Sequence, residues 1–413
     1  MATKQLRPRR VPLDDVEAFV RAGDSVFGLI PDDADVAFYS SLFDPDYALA
    51  IYDGGRIVAT ASANSFELTL PAGPDHPLPT VTAPGVTAVG VQPTHRRRGL
   101  LTALMHRQIR DYRDRGFRLS MLTASEGAIY GRFGYGLATS YRSVAVNTKH
   151  AAFREDAPIT GRMRLLDPDD ARKVLPELHD QARRLRPGDI TRLGPWWDRY
   201  FDDPDKDRDG GGGQFHAVHE SSRGEPDGWV SYRYHYSWGN GVPAHRVDLR
   251  GLVALHPAAR ASLWRYLLDL DLVGEVTAEA VPMDEPLRWL LTDPRQVRVG
   301  YVGDHLWVRL IDVPGSLTAR GYRTEARLVL DVRDEGRFLL ETAPTGAWCR
   351  PARKGEKTDL ILGLAELGAI YLGGVRPSVL AAAGRVNEER VGALGRADAA
   401  FGSPIAPYCG TDF

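Results

Sequence analysis

The sequence predicts a mixed α/β protein built from three consecutive units, and three observations support this. First, a helix pattern near the N-terminus is followed by alternating strands and then by a strand–helix–strand–helix series. Second, Pro257 and Arg260 repeat the spacing of Pro93 and Arg96, each pair following an apolar strand, which indicates an internal repeat. Third, another set of strands followed by helices begins near residue 300. The predicted units are residues 1–147, 148–299 and 300–413.

The composition is that of a soluble globular protein, with 43% hydrophobic and 26% charged residues. The formal net charge of -2 gives no overall attraction to nucleic acid or anionic membranes. The two cysteines, Cys349 and Cys409, are far apart in sequence, which fits a reducing compartment. No stretch approaches the ~20 apolar residues of a membrane span, and no apolar segment follows the basic N-terminus. We therefore expect a cytoplasmic protein without membrane insertion or a nucleic-acid partner.

Periodicity and turn residues define the elements of the first unit. The Asp-Gly-Gly turn at 53–55 separates two alternating stretches and predicts a hairpin. Five prolines between 71 and 85 predict a loop. Gly116 and Gly134 mark the ends of two predicted helices. The predicted elements are a helix over 11–30, strands over 48–55, 56–70, 86–91 and 117–125, helices over 98–116 and 127–133, and paired strands over 135–148.

The same criteria apply to the other two units. In the second unit, the charged and glycine-rich stretch 202–213 predicts a loop. The predicted elements of this unit are a strand and a helix within 162–184, strands over 214–220, 228–238 and 245–255, and a helix over 256–270. In the third unit, the prediction is of strands over 305–313, 326–332 and 336–342, helical stretches over 358–374 and 377–386, and a polar C-terminal tail.

The stretch from Val89 to Leu101, VGVQPTHRRRGLL, predicts a site for the pyrophosphate of an acyl-CoA. A tight turn into a helix start directs several N–H groups at one anion, and the helix dipole favours negative charge. Glycine allows close backbone approach, and arginine pairs with phosphate in a bidentate way. A solvated arginine patch, a nucleic-acid surface and simple strand core for the two valines are the alternatives. The candidate cofactor-binding residues are Val89, Gly90, Val91, Arg96, Arg97, Arg98, Gly99, Leu100 and Leu101.

A second motif, Y-x-x-x-G-[FY], places Tyr130 on a short helix that ends at Gly134. A phenol beside the sulfur of CoA could protonate the departing thiolate as a general acid. The alternative is a tyrosine that packs on the helix and hydrogen-bonds its hydroxyl. Ser125, at the end of the preceding strand, is a further candidate for the cofactor site, and a helix N-cap role is an equal alternative for it.

The second copy of the repeat and the histidines predict no further chemistry. Leu263 stands where the first copy has Gly99, and the arginine cluster is missing, so we expect a structural copy without cofactor. His216 and His219 are three residues apart on a predicted strand, a spacing that fits a shared metal poorly. We therefore expect no metal site.

The loop and the tyrosine motif together resemble the GNAT acetyltransferase superfamily. The runs THRRRGLLTAL and ASEGAIYGRFGYG, the three units and the C-terminal end resemble the Eis family of actinobacterial N-acetyltransferases over essentially the whole chain. The pattern departs from the superfamily loop at Leu101, where glycine or alanine is usual. The resemblance implies a catalytic N-terminal GNAT domain, a central GNAT-like domain without cofactor, a C-terminal sterol-carrier-protein-like domain, acetyl-CoA as co-substrate and a homohexamer.

The resemblance also implies roles for the C-terminal residues. The carboxylate of Phe413 would return to the active site as the base that deprotonates an amine. Asp412 would hold a cationic amine, and Phe27 would line the acceptor site. From the sequence pattern alone, a frayed polar tail is the alternative.

The acceptor is expected to be a small-molecule or peptide amine. Some members of the Eis family acetylate aminoglycosides or lysine side chains. Here the residues after Phe27 are apolar up to Ile30, and acids begin only at Asp32. The predicted edge of the acceptor pocket is therefore less acidic than the binding of a polyamine requires. The alternative function is a non-catalytic scaffold that senses acyl-CoA or binds lipid.

Overall fold

The computed structural model describes residues 6–413. The chain divides into two compact units that are both discontinuous in sequence. The first unit contains residues 1–139, 305–403 and 412–413, and the second contains residues 140–304 and 404–411.

The N-terminal part of the first unit begins with two helices and continues as strands that alternate with helices. Its elements are β1 (Arg9–Arg10), α1 (Val16–Val26), α2 (Asp33–Ser41), β2 (Leu49–Asp53), β3 (Arg56–Thr69), β4 (Thr80–Val91), α3 (Leu100–Asp114), β5 (Leu119–Thr123), α4 (Gly127–Tyr130) and β6 (Gly136–Leu137).

The second unit is built around a seven-stranded sheet of its own. Its elements are β7 (Ser140–Asn147), β8 (Arg162–Leu166), α5 (Pro168–Arg183), α6 (Gly194–Asp202), β9 (Gln214–Glu220), β10 (Pro226–His235), β11 (Trp238–Gly239), β12 (Val242–Pro243), β13 (His245–Ala254), α7 (Pro257–Leu268), β14 (Val273–Pro282), α8 (Leu287–Leu290) and β15 (Val297–Asp304). The strand order of this sheet is β15-β7-β14-β13-β10-β9-β8, and β11 pairs only with β12.

The C-terminal part of the first unit contributes one strand to the first sheet and forms a five-stranded sheet. Its elements are β16 (Leu306–Leu310), α9 (Val313–Ala319), β17 (Ala326–Val332), β18 (Gly336–Ala343), β19 (Gly346–Pro351), β20 (Leu360–Leu362), α10 (Leu364–Ile370), α11 (Pro377–Ala382), β21 (Asn387–Glu388) and α12 (Ala393–Phe401). The five-stranded order is β19-β18-β17-β20-β21.

The first sheet has the order β1-β2-β3-β4-β5-β16-β6, and its central strands separate. The parallel strands β4 and β5 pair only at Gly85 with Met121 and at Val86 with Leu122. Beyond these two pairs β5 continues to bond antiparallel to β16, whereas β4 continues along β3. The result is a V-shaped opening between the C-terminal ends of β4 and β5.

Helix α3 is fixed over this sheet by its amphipathic pattern. Leu104 and Met105 are fully buried, and Tyr112 is 1% exposed near the C-terminal end of the helix. Residues spaced by three, four and seven positions lie on one face of a helix, so this face packs against the sheet. Arginines occupy much of the opposite face. The helix therefore presents its first turn beside the opening and its basic face to solvent.

Two predicted elements differ from the structure near the first sheet. The helix predicted over 11–30 is shorter, because Gly28 turns the chain at a φ of 78° and the capping box of Asp32 and Asp35 starts α2. The loop predicted over 71–85 ends at Pro79, and Pro84 lies inside β4. Proline is tolerated there because β4 has not yet met β5 at this position.

Three further differences arise from pairing that the sequence pattern does not show. The strands predicted as a pair over 135–148 lie in different sheets, since β6 pairs with β16 and β7 with β14 and β15. The strand predicted for the third unit near residue 306 is β16, which lies in the first sheet. The helical stretch predicted over 358–374 begins as β20, a short strand parallel to β17.

Helix α10 lies directly on β6 and β16 through two glycines. A Cβ atom added to Gly136 would overlap the carbonyl oxygen of Ala365, and one added to Gly368 would overlap that of Val308. Backbone therefore contacts backbone at this point, and no side chain can relax the overlap. The contact couples the C-terminal part of the first unit to the first sheet.

We predict that Gly368→Ala lowers the free energy of unfolding by about 1–3 kcal/mol, the usual effect of overpacking a core. Denaturant unfolding followed by circular dichroism measures it. Gly395→Ala is the matched control, because no atom lies within 4 Å of its added Cβ. An unchanged midpoint for Gly368→Ala would contradict the contact.

Candidate active site

A β-bulge shapes the backbone of β4 where it leaves β5. The ladder to β3 shifts register between Thr60 and Ser62, and Ala88 adopts a φ of 52°. The Thr60 hydroxyl donates a 2.8 Å hydrogen bond to the carbonyl oxygen of Ala88. The bulge is therefore braced from β3, and it leaves Ala88 and Val89 outside the ladder, while Gly90 and Val91 pair with Thr60 and Ala59.

Val89, Gly90 and Val91, the strand residues before the turn, pack against the core. Val89 and Val91 are partly buried and pack against the core of the first sheet. Gly90 is buried against Val26 at the end of α1, where an added Cβ would lie 2.9 Å from Val26 Cβ. The side chains of this segment are therefore structural, and only its backbone can contact a ligand.

The segment between β4 and α3 is held in place at both sides. The amide of Gln92 donates to the Ser25 hydroxyl over 2.7 Å, and His95 Nε2 lies 3.1 Å from Asp53 Oδ2. Arg97 and Gly99 have positive φ angles of 61° and 77°. These two residues reverse the chain direction, so that α3 starts at Leu100 immediately after the turn.

The turn leaves hydrogen-bond donors available at the start of α3. Within residues 6–413, the N–H groups of Arg98, Gly99 and Leu100 have no hydrogen-bond partner. No atom lies within 4 Å of a Cβ added to Gly99, so its positive φ, and not crowding, favours glycine here. The helix start and its N–H groups form the kind of site that binds phosphate.

The three arginines and the two leucines of the loop have different surroundings. Arg96, Arg97 and Arg98 are exposed, and the guanidinium of Arg96 donates a 3.4 Å hydrogen bond to the carbonyl oxygen of Val91. Leu100 is 6% exposed, and Leu101 packs partly into the core beneath the sheet opening. The arginines can thus reach a ligand with their side chains, whereas the leucines can offer only backbone groups.

Tyr130 is the last residue of α4 and is 6% exposed. Its ring contacts that of Tyr135 at a centroid distance of 6.3 Å. Burial raises the pKa of the Tyr130 phenol, and the charge of Glu126 raises it further. No hydrogen bond engages this hydroxyl within the described part of the chain. Tyr130 is therefore a neutral phenol with an uncommitted proton at physiological pH.

The second tyrosine of the motif has a structural environment. The hydroxyls of Tyr135 and Ser120 are 2.9 Å apart, and burial raises the pKa of Tyr135 to about 12. Gly134 ends the short helix with a φ of 83°. Ser125 is exposed and precedes Glu126, which is the N-cap residue of α4 and makes no side-chain cap. Ser125 thus leaves its hydroxyl accessible beside α4.

The C-terminal residue lies at the opening of the sheet. The ring of Phe413 packs on Phe66 with centroids 4.8 Å apart, and an added Cβ on Gly85 would lie 2.6 Å from Phe413 Cε2. The Thr123 hydroxyl, at the end of β5, donates a 3.3 Å hydrogen bond to the main-chain oxygen of Phe413. The main-chain oxygen of Phe413 is therefore positioned where β4 and β5 diverge.

Specific contacts hold the tail, and the alternative of a frayed end does not apply. His305 Nε2 lies 2.6 Å from Asp412 Oδ1 within the first unit. In the second unit, the guanidinium of Arg192 donates to the carbonyl oxygen of Gly410 over 3.0 Å. Thr123 and His305 were not identified from the sequence, because neither lies in a motif and both contacts join distant parts of the chain.

Phe27 is less directly connected to the site. It is 51% exposed at the C-terminal end of α1, next to Val26, which contacts Gly90. Leu29 and Ile30 follow with exposures of 58% and 96%. An exposed apolar segment therefore adjoins the strand whose backbone is displaced by the bulge.

The acids near this segment belong to α1 and α2. Burial raises the pKa of Asp24, and the charge of Asp35 adds to the effect. Asp35 itself takes part in the capping box of α2 with Asp32. The carboxylates of Asp32 and Asp35 thus serve to cap α2.

The second copy of the repeat is closed at the position that corresponds to the loop. Burial alone would lower the pKa of Arg260, but the charge and hydrogen bond of Glu285 raise it. Trp264 also donates to Glu285, over 3.0 Å, and Leu263 is fully buried. The arginine retained by the repeat is therefore bound to a buried carboxylate and is not available for phosphate.

The described residues form neither a group of metal ligands nor a membrane-spanning helix. Among residues 6–413, no three His, Cys, Asp or Glu side chains group as potential metal ligands. The described helices include none with the length and hydropathy to cross a bilayer.

Family models identify the class of protein that this fold and site define. Models of an acetyltransferase (GNAT) domain match residues 7–138 and residues 188–310, and a sterol carrier protein domain matches residues 313–410. The predicted fold class, two GNAT domains followed by a sterol-carrier-type domain, is thereby confirmed. The protein is an acetyltransferase of the GNAT type, for which acetyl-CoA is the co-substrate.

Full-length relatives specify the family. An uncharacterized N-acetyltransferase of Streptomyces avermitilis is 40% identical over 90% of both chains. N-acetyltransferase Eis of Mycobacterium tuberculosis is 34% identical over 91% of both chains. The crystal structure of Eis1 from Mycobacterium abscessus matches with a TM-score of 0.85 at 31% identity, covering 99% of this chain and 100% of that one. The chain belongs to the Eis family of GNAT N-acetyltransferases, and an enzyme is favoured over a non-catalytic scaffold.

We predict that Gly99→Ala weakens acetyl-CoA binding by up to about tenfold, because an alanine at a positive φ costs roughly 1–2 kcal/mol and the turn would relax. Isothermal titration calorimetry with acetyl-CoA measures the dissociation constant. Gly55→Ala imposes the same strain at a φ of 84° in the β2–β3 turn and should leave affinity unchanged. Equal affinities for the two variants would contradict a role for the turn.

Proposed function

We propose that the enzyme transfers acetyl directly from acetyl-CoA to a primary amine, with Tyr130 as general acid and the Phe413 carboxylate as base. The observation that carries this proposal is the hydrogen bond from Thr123 to Phe413, which holds a carboxyl group at the opening between β4 and β5. The same opening is bordered by the displaced backbone of β4.

The amine nitrogen attacks the thioester carbonyl carbon and forms the amide bond, while the carbon–sulfur bond breaks. The bound ammonium group first loses one proton to the Phe413 carboxylate, directly or through water, and the second nitrogen proton leaves to solvent by the same route after the attack. The departing thiolate takes a proton from the Tyr130 hydroxyl, which solvent restores. No covalent acyl-enzyme is formed.

The environment of Tyr130 supports the role of acid. Its raised pKa keeps the phenol protonated at neutral pH, so the proton is present when the thiolate develops. The hydroxyl makes no competing hydrogen bond within residues 6–413. Tyr135, by contrast, already shares its hydroxyl with Ser120. The two tyrosines of the motif thus have separate roles.

The loop residues divide between the thioester and the phosphates of acetyl-CoA. The backbone of Val89, Gly90 and Val91 is proposed to orient the thioester end, since β5 pairs with β4 only at Gly85 and Val86 and leaves that side of the later residues without a strand partner. The N–H groups from Arg98 to Leu101 and the side chains of Arg96, Arg97 and Arg98 are proposed to bind the pyrophosphate and the 3′-phosphate. Ser125 would add a hydrogen bond beside α4.

Asp412 and Phe27 are proposed to contact the acceptor. The Asp412 side chain is 91% exposed while one oxygen is held by His305, so its charge stays beside the terminal carboxylate. Two negative groups in sequence attract a protonated amine. Phe27, with Leu29 and Ile30, offers an apolar surface to the body of the acceptor. We propose a primary amine carried by a partly apolar molecule, with aminoglycosides and peptide lysines as the two family acceptors to be compared in a mass-spectrometric screen.

The assembly and compartment follow from the family resemblance. We propose a homohexamer that works in the cytoplasm. Both cysteines, Cys349 and Cys409, are buried thiols, which is compatible with a reducing compartment. Sedimentation equilibrium would test the hexamer, and a mass below six copies of the 45.5 kDa chain would contradict it.

We predict that Tyr130→Phe lowers kcat about 100-fold or more, the usual contribution of a general acid, while the acetyl-CoA dissociation constant stays within twofold. Release of CoA thiol with an amine acceptor measures turnover. Tyr112→Phe is the matched control, because its buried hydroxyl has no hydrogen-bond partner in the described structure. Full activity of Tyr130→Phe would remove this residue from the mechanism.

We predict that two residues added after Phe413 lower kcat about 100-fold, because they move the carboxylate away from Thr123. The acetyl-CoA dissociation constant and the thermal midpoint should remain near those of the wild type. Phe413→Leu keeps a terminal carboxylate at the same position and should retain most activity. If the extended chain turned over normally, the carboxylate would not be the base.

A further inference from the structure

A cavity of ≈ 670 Å³ lies within the first unit, apart from the opening between β4 and β5. One wall is the C-terminal half of α3, and another is the turn that follows α4. The opposite wall is formed by the β17–β18 turn and the start of α10. The cavity is thus lined by residues of the matched GNAT domain and of the sterol carrier domain.

The lining is strongly basic. Six arginines face the cavity, against three carboxylates. The arginines are Arg110, Arg113, Arg132, Arg309, Arg333 and Arg385. Three of them have acidic partners: Arg113 and Arg309 lie 3.8 Å and 3.5 Å from Glu335, and Arg385 pairs with Glu366.

The other three arginines have no acidic partner among the described residues. Arg110, Arg132 and Arg333 are exposed and belong to three different walls of the cavity. The guanidinium of Arg132 lies 5.0 Å from the ring centre of Phe133, so it is placed over an aromatic face. Guanidinium groups that form no ion pair can attract an anion, and their planar fork matches phosphate.

The inner part of the cavity is buried and partly apolar. Arg309 is 7% exposed and donates to the carbonyl oxygens of Phe133 and Leu310 over 2.7 Å and 3.0 Å. Phe133, Ile109 and Leu364 are all below 10% exposure at the same lining. A ligand body of low polarity can therefore lie on a fixed surface while its charged groups reach the arginines.

The cavity lies further along α3 than the proposed acetyl-CoA loop, which precedes the helix. The lining residues of α3 run from His106 to Arg113. At a rise of 1.5 Å per residue they lie roughly 9–20 Å beyond the first residue of the helix. The cavity residues are also distinct from Arg96–Leu101, so the proposed cofactor site leaves them unused.

We propose that this cavity binds a small phosphorylated molecule of nucleotide size, with its phosphates paired to Arg110, Arg132 and Arg333. Its apolar body would rest on Phe133 and Leu364. The volume falls in the range of about 300–1,000 Å³ that small-molecule sites occupy. Such a ligand would bridge the catalytic domain and the sterol carrier domain, and its binding is independent of the proposed acetyl transfer.

The test is calorimetric titration of ADP into full-length protein saturated with acetyl-CoA. We expect binding, and we expect it to weaken at least tenfold in Arg110→Gln/Arg333→Gln and, separately, in Arg132→Gln. Arg56→Gln removes an exposed arginine at the start of β3 in the same unit and should leave ADP affinity unchanged. Inorganic pyrophosphate should show the same dependence on the variants.

Two results would overturn the proposal. ADP that binds only in the absence of acetyl-CoA would be occupying the cofactor site. Equal loss of ADP affinity in Arg56→Gln and in the cavity variants would show attraction to overall charge and no defined site. Neither result involves turnover, so a failure here is distinguishable from a failure of the proposed mechanism.

Discussion

The separation of β4 from β5 is the constraint on which the rest of the structure depends. Parallel strands normally share hydrogen bonds along their length, yet these two share only the pairs at Gly85 and Val86. Beyond that point the backbone of β4 loses a neighbour, which is costly unless another polar group takes its place. The bulge at Ala88 and the proximity of Thr123 to Phe413 both act at this gap. The gap is stable because β16 and β3 pair with the outer sides of β5 and β4.

Much of the candidate site could be predicted because its signals are local. The turn before α3 and the helix of Tyr130 depend on residues within a few positions, such as Gly99 and Gly134, and both were recognised from spacing. The tandem α/β architecture was recognised for the same reason. Thr123 and His305 were missed, since their partners lie far away in sequence. Only the family resemblance identifies Phe413 as a candidate site residue, because a polar tail gives no indication of where in the fold it lies.

The corresponding arginines in the two copies of the repeat have different surroundings. Arg96 is exposed beside unpaired helix N–H groups, whereas Arg260 is enclosed with Glu285 beneath Trp264. A buried guanidinium requires a counter-charge, and that counter-charge removes it from ligand chemistry. Fold similarity between the two halves therefore says little about shared function, and the surroundings of the arginine decide.

Because β16 belongs to the first sheet, it affects how the sheet folds during synthesis and where the chain can be cut into fragments. About 180 residues separate β5 from the strand that completes it, which at ~5–20 residues per second means roughly 10–40 s of synthesis with β5 lacking a neighbour. An unpaired strand edge invites aggregation. The first sheet is therefore finished only after the second domain has left the ribosome, and a fragment cut at residue 138 would lack one of its inner strands.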